Sequence, residues 1–183
     1  MTAPTHTVMD SPVGPLTLVA TDGALCGLYM VGQRHRPDAE TFSGRDRTVL
    51  TGATATDGTV LTGATGADGT VLTEVMGQVG EYFAGERTHF DIPITFVGTE
   101  FQRRVWTALR SIPYGRIASY GEIARQIGNP AASRAVGRAN GRNPIGIVVP
   151  CHRVVGSTGH LTGYGGGLER KRFLLEFERG HAT

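Results

Sequence analysis

Two adjacent residues in this chain have the types needed for nucleophilic chemistry: Cys151 and His152, in the stretch Pro150-Cys151-His152-Arg153. A thiol attacks as its thiolate, and an unperturbed cysteine ionises only near pH ~8.5. A neighbouring imidazole supplies the missing base, directly or through one water. Such an imidazole needs a group to hold it, and Glu178 is the candidate. On a helix from about Leu168 to Arg179, Glu178 falls between Leu174 and Leu175 on the wheel, and Leu168 and Lys171 lie on the same arc. An acid on an apolar face is costly unless it has a partner. A histidine is its natural partner, because a carboxylate orients the ring and raises its basicity. Each residue also has a plainer reading: Cys151 as a buried, inert thiol, and Glu178 as an acid in water at a frayed helix end.

The elements around this stretch would have to position it. Ile145-Gly146-Ile147-Val148-Val149 has the composition of a strand. Pro150 should end it and lift Cys151 out of the sheet. Arg153 to Val155 again reads as a strand, Gly156 to Gly159 as a turn, and Leu161 to Gly167 as a flexible, glycine-rich segment, together a wing-like hairpin. That segment lacks the Gly-Lys-Ser/Thr of a phosphate loop. Its glycines would let backbone come close to a flat ligand.

Upstream, Thr99-Glu100-Phe101-Gln102 and Ser119-Tyr120-Gly121-Glu122 are capping-box patterns opening helices. Gly128 closes the second helix, and Asn129 caps a third with Pro130 at its first position. Two short helices joined by a Gly-Asn turn form a helix-turn-helix candidate. The second is rich in alanine and carries Arg134 and Arg138 on one exposed side, suited to phosphates or the base stack. A solvated charged face on an ordinary helix pair would look the same.

The charge distribution separates two halves of the 183 residues. Residues 99–183 carry 13 Lys+Arg against 5 Asp+Glu, whereas residues 1–98 carry 5 against 11. A basic back half suits a polyanion, and arginine's planar fork matches phosphates and base edges. We place a domain boundary at Gly98-Thr99. In the front half, Pro12 to Met30 reads as a hairpin turning at Asp22-Gly23, Glu74 to Gly85 as a helix, and Phe90 to Val97 as a short strand or extended linker. An 11-residue unit at Thr51–Leu61 is repeated at Thr62–Leu72 with nine matches, and we read about 48–73 as a duplicated Gly/Thr-rich loop. No run of 18 apolar residues suggests a membrane span, and Met1 to Asp10 shows no secretory signal. Cys26 and Cys151 form neither a disulfide framework nor a zinc spacing, which fits a cytoplasmic protein.

These residues together resemble the O6-alkylguanine-DNA alkyltransferases, the methylated-DNA–protein-cysteine methyltransferase family. The matching stretches are Ser11-Pro-Val-Gly-Pro-Leu16, Tyr82-Phe-Ala-Gly85, Gly98-Thr-Glu-Phe-Gln102 with Val105-Trp106, Ile112-Pro-Tyr-Gly115, Ser119-Tyr-Gly-Glu-Ile123, Arg134-Ala-Val-Gly137, Asn143-Pro144, Pro150-Cys-His-Arg-Val154 and Gly163-Tyr-Gly-Gly-Gly167. The resemblance implies an α/β (α+β) chain: a small ribonuclease-H-like α/β domain over 1–98, then a winged helix-turn-helix alkyltransferase domain over 99–183. It implies a monomer that binds the minor groove of double-stranded DNA, with clustering on DNA left open. The damaged guanine is flipped out, and its alkyl group passes irreversibly to the cysteine. O4-alkylthymine is a second substrate. No cofactor and no membrane are involved.

Carried over residue by residue, Cys151 is the alkyl acceptor, His152 its base through a water, and Glu178 the holder of His152. Asn143 braces the turn before the active strand, and Tyr120 donates to the guanine ring nitrogen. Tyr164 and the Gly165 N–H line the pocket near O6, and the Val154 carbonyl accepts from the exocyclic amine. Arg134 enters the base stack, while Asn129, Ser157 and Gly121 contact the DNA. The chain departs from the family at Gly165, where some relatives have serine, and in the repeated loop. Some relatives hold a structural zinc in the first domain, but Cys26 alone cannot supply it, so no metal is expected. Three rivals remain. A damage-binding module of this fold would lack the cysteine. A winged-helix regulator would need an effector domain. A cysteine hydrolase would need a histidine distant in sequence.

Overall fold

A computed structural model describes residues 4–37 and 66–182, in two compact units. The first comprises residues up to Val31 together with Arg36–Thr95, and the second comprises Gly32–His35 with Phe96 onward. The division therefore falls three residues before Gly98-Thr99, and a four-residue piece of the front half belongs to the back. Arg34 is bound there, its N–H donating to the Gly165 carbonyl at 2.9 Å.

In the first unit, β1 (Thr5–Met9), β2 (Leu16–Thr21) and β3 (Ala24–Met30) form an antiparallel sheet in that order. The β2–β3 turn uses Asp22 (φ 51°) and Gly23 (φ 75°), both left-handed, as the expected two-residue hairpin turn requires. Helix α1 (Ala67–Phe83) packs on the sheet through Leu72, Val75, Val79 and Tyr82. It begins seven residues earlier than its apolar spacing suggests, so residues 67–73 of the expected loop are helical; residues 48–65 lie outside the described ones. Glycine and threonine are weak helix formers, but tertiary contacts outweigh that here. Val71 and Leu72 are buried, and the Asp68 carboxylate accepts from the Gly23 N–H at 2.6 Å. Phe90 to Val97 is extended backbone with one bridge, Leu25 to Ile94. Cys26 is half-buried in β3, and burial pushes its thiol up to about 11, with Asp68 adding to the effect.

The second unit contains α2 (Glu100–Leu109), β4 (Ala118–Ser119), α3 (Tyr120–Gln126), α4 (Ser133–Gly141), β5 (Val154–Val155) and α5 (Leu168–His181). Both capping boxes form with full reciprocity, at Thr99/Gln102 and Ser119/Glu122. α2, α3 and α4 pack on one another, and the buried Trp106 indole N–H donates to the Ala139 carbonyl at 2.9 Å. α3 and α4 form the helix-turn-helix, with Gly128 left-handed at φ 73°. Asn129 does not cap with its side chain. Pro130–Ala132 is a 3₁₀ turn, and α4 starts only at Ser133, which leaves the Asn129 side chain exposed.

Two further expectations are corrected. Residues 145–149 are a buried turn rather than a strand: Val149 N–H donates to Ile145 O at 3.0 Å, and Ile147 is left-handed at φ 67°. Apolar composition alone does not separate a strand from a turn buried on all sides. The wing lacks a returning strand. β5 pairs in parallel with β4, and the loop after it closes through Gly156 N–H to His160 O at 3.0 Å. No helix of the described residues is long and apolar enough to cross a membrane.

Candidate active site

Cys151 opens a 3₁₀ turn, Cys151–Arg153, packed against α5. Asn143 shapes the approach to it. Its amide N–H donates to Val149 O at 2.8 Å, while its oxygen accepts from the Ile145 N–H at 3.0 Å. One side chain thus replaces the ladder that a strand would have supplied. Asn140, on the last turn of α4, donates to the Cys151 carbonyl at 3.3 Å. Burial pushes the Cys151 thiol up, and the Asn143 amide and the Lys171 charge offset this only in part. Thiolate is therefore scarce near neutrality, so a base is needed.

His152 is completely buried, with Nε2 at 2.8 Å from Glu178 Oε1. Glu178 lies on α5 where the wheel puts it, also completely buried. Its oxygens accept from Arg153 at 2.8 and 2.9 Å and from the Gly115 N–H at 3.2 Å. Gly115 is left-handed at φ 69°, and a Cβ there would come to 2.7 Å from Ala182. Burial alone would raise the Glu178 carboxyl, but the hydrogen bonds and charges of His152 and Arg153 outweigh it and hold it at about 2. Burial keeps the His152 imidazole below its ordinary 6.5 despite Glu178. The two directions agree if His152 is neutral, with its proton on Nε2 facing Glu178, while Arg153 supplies the balancing charge. Nδ1 then carries a bare lone pair, and it has no hydrogen-bond partner among the described residues.

Both groups bind fewer protons folded than unfolded on the acid side, so stability falls as pH falls. The His152 contribution is intact above pH 6.5 and declines below it; the Glu178 contribution is intact above 4.5 and is lost toward about 2. Thermal unfolding followed from pH 7.5 to 3 should therefore show Tm dropping in two stages. A Tm level from pH 7 to 4 would refute the assignment.

Arg153 and Lys171 are the residues that the sequence did not assign. Arg153 also donates to Ile112 O at 2.6 Å and lies 5.6 Å from the Tyr114 ring centroid. Its place beside Cys-His in sequence was the available signal. Lys171 Nζ donates to the Val154 carbonyl at 2.6 Å and to Thr162 O at 2.9 Å, and burial pulls the ammonium down to about 8, against the pull of Cys151. The Val154 carbonyl, expected to be an acceptor for substrate, thus already holds one hydrogen bond and keeps one lone pair. Lys171 was legible as a buried cation on the α5 wheel. Leu168, expected on that inner arc, is 45% exposed because it sits at the open start of the helix.

The Tyr120 hydroxyl accepts from Thr162 Oγ1 at 3.0 Å, which leaves its own proton to donate. Burial pushes this phenol up, the Thr162 bond lowers it, and Cys151 adds to the rise. Burial and Cys151 push the Tyr164 phenol well above its usual range. A cavity of about 10 Å³, room for about one water, is lined by Cys151, Asn140, Asn143, Tyr164 and Gly165 among others. The structure thus brings Cys151, His152, Glu178 and Asn143 together, with Tyr120, Tyr164 and Gly165 close by. It leaves Arg134, Asn129 and Ser157 exposed and Gly121 half-exposed.

The same geometry has known relatives. Residues 5–96 match the ribonuclease-like domain of 6-O-methylguanine DNA methyltransferase, and residues 100–180 match its DNA-binding domain. The methylated-DNA–protein-cysteine methyltransferase of Mycolicibacterium paratuberculosis is 50% identical over 177 residues, 97% of this chain and 93% of the relative. The crystal structure of the Mycobacterium tuberculosis O6-methylguanine methyltransferase superposes with a TM-score of 0.78 at 46% identity, covering 98% of this chain and 95% of that one. The M. tuberculosis protein in complex with DNA gives 0.75 at 47% identity, with 97% and 94% covered. With two family models spanning its described units and relatives near half identity over almost its full length, this chain belongs to the methylated-DNA–protein-cysteine methyltransferase family.

Proposed function

We propose that this chain repairs DNA by direct reversal, moving the alkyl group from O6 of a guanine to its own Cys151. The observation that carries this is the buried pair beside the thiol: His152 Nε2 sits on Glu178 at 2.8 Å, so Nδ1 is the basic nitrogen. The thiol proton passes through a water to His152. Sulfur attacks the alkyl carbon, an S–C bond forms, and the C–O6 bond breaks with its electron pair going to the guanine. Guanine leaves poorly as an anion, so donors aimed at it lower the barrier. The Tyr120 hydroxyl donates a hydrogen bond to the ring nitrogen where the negative charge gathers, and Tyr164 and the Gly165 N–H face O6. A thioether is stable, so each molecule acts once. O4-alkylthymine presents the same kind of bond. A cytoplasmic setting suits a nucleophile that must stay a free thiol.

The base must leave the duplex to reach a thiol only 5% exposed. Extrusion costs a few kcal/mol and is cheapest for a weakened pair, which gives part of the selectivity. Arg134, exposed on α4, fills the vacated stack, and Asn129, Ser157 and Gly121 hold the backbone. Incubation with duplex DNA carrying O6-methylguanine should add one methyl group to the Cys151 peptide; unchanged mass with fully reduced protein rejects the reading. Arg134→Ala should slow transfer from duplex by about 10-fold or more, from the loss of a few kcal/mol of flipping support, while affinity for undamaged DNA falls less than about threefold. Equal losses in both would remove the stacking role.

A further inference from the structure

Beside the small cavity at Cys151 lies a larger one of about 640 Å³, wholly within the second unit. The two share Gly141, Tyr164, Gly165 and Gly166 as wall residues. The larger cavity is lined by Arg34 and His35 from the segment between β3 and the first unit's remainder, by Arg138 and Arg142 from the end of α4, and by Gly167 and Leu168 at the start of α5. No acidic residue is among the described residues that line it.

Two independent features suit this cavity to an anion. First, none of the three arginines is ion-paired with a described residue. Second, α5 is a 14-residue helix whose N-cap, Gly167, provides no side-chain hydrogen bond, so the first-turn N–H groups lack a capping side chain. A helix start of this kind favours negative charge through its N–H groups and its dipole. Glu169, the acid of that first turn, is exposed and is not a wall residue. The cavity is also held in shape. Arg34 N–H donates to Gly165 O at 2.9 Å, and His35 adopts a left-handed φ of 63°, uncommon outside glycine but tolerated by histidine.

Resting on the reading of Cys151 as alkyl acceptor for a flipped nucleotide, we propose that this cavity is the seat of that nucleotide's own flanking phosphates. Arg138 and Arg142 take one side, and Arg34 with the start of α5 takes the other. Arg134, Arg138 and Arg142 recur every four residues, forming one stripe from the residue that enters the stack to the cavity beside the thiol. The backbone of the extruded nucleotide would follow that stripe. The alkyl group enters the small cavity, while the charged linkages stay in the large one. Transfer thus depends on the phosphates at the lesion itself, beyond the general attraction of a basic surface for DNA.

Replacing the two phosphates that flank the O6-methylguanine by neutral methylphosphonates tests this, with Cys151→Ser protein for affinity and the unaltered protein for transfer. The neutral linkages should weaken binding and slow transfer by about 10-fold per lost contact, as expected for a charge-assisted hydrogen bond. The Arg34→Gln, Arg138→Gln, Arg142→Gln triple variant should show the same loss on natural DNA and no further loss on the neutral DNA. Its salt slope should fall by about 1 per phosphate released. Free O6-benzylguanine, which has no phosphate, should alkylate unaltered and triple-variant protein within about twofold of each other. Neutral linkages that change nothing, or that penalise the triple variant as much as the unaltered protein, would overturn the subsite, as would a triple variant that fails with the free base too. If instead the unaltered protein takes no alkyl group from DNA or base, the transferase reading falls. The Cys151→Ser affinities still decide the phosphate site in that case.

Discussion

Cys151→Ser protein should take up no alkyl group from O6-methylguanine DNA, while its affinity for the same duplex stays within about threefold of the unaltered protein. The hydroxyl is nearly the size of the thiol, so the Asn143 brace and the Asn140 bond to the residue 151 carbonyl survive. Serine, however, ionises far less readily than cysteine and is the weaker nucleophile. Burial pushes the Cys151 thiol up, so the proposed transfer calls for proton removal by His152 rather than for resident thiolate. Peptide mass mapping after incubation reads the transfer, and fluorescence anisotropy reads the binding. An alkylated Cys26 peptide in the variant would move the acceptor elsewhere and end the assignment. The Cys26 thiol, raised to about 11, argues against that outcome.

Glu178→Gln should have the second large effect, on two scales at once. The glutamine can still accept from His152, but it cancels the charge that faces Arg153 at 2.8 Å with side chains only 7% and 0% exposed. Breaking one side of a buried ion pair costs about 3–5 kcal/mol. For a chain of this size that lowers Tm by about 6–20 °C, at roughly 2–4 °C per kcal/mol. Below that transition, transfer should slow by about 100-fold, within the range for loss of a properly held general base. The pH dependence of transfer should also change, because His152 loses the carboxylate that keeps its proton on Nε2. A variant as stable and as fast as the original, with an unchanged pH profile, would show that the carboxylate neither balances Arg153 nor orients His152.

Some of this was legible because the information is local. A capping box closes within three residues, so Thr99–Gln102 and Ser119–Glu122 could be read directly and were formed as read. The Asp22-Gly23 hairpin turn is equally local. Glu178 could be placed because a helix has a fixed period, and the wheel showed an acid on the apolar face. The cost of burying that acid then pointed to its histidine.

Other features depended on residues far apart in sequence. The Gly/Thr-rich residues 67–73 became helix because Asp68 reaches Gly23, 45 positions away, and because Val71 and Leu72 are buried. The run 145–149 became a turn because the Asn143 amide satisfies two of its backbone groups and Ile147 takes a left-handed conformation. Local propensity carries no trace of either. Arg153 and Lys171 were visible as charges, but only the folded chain shows that one neutralises Glu178 and the other spans the Val154 and Thr162 carbonyls.

The sequence by itself placed the cysteine, its neighbouring histidine and the acid that must be buried, because adjacency and helical period are properties of a few residues. Tertiary structure alone decided how those charges balance, and that Gly32–His35 joins the second unit to complete a cavity of arginines beside the thiol. Buried charge and cavity shape are set by partners drawn from distant parts of the chain, and no short window of sequence contains them.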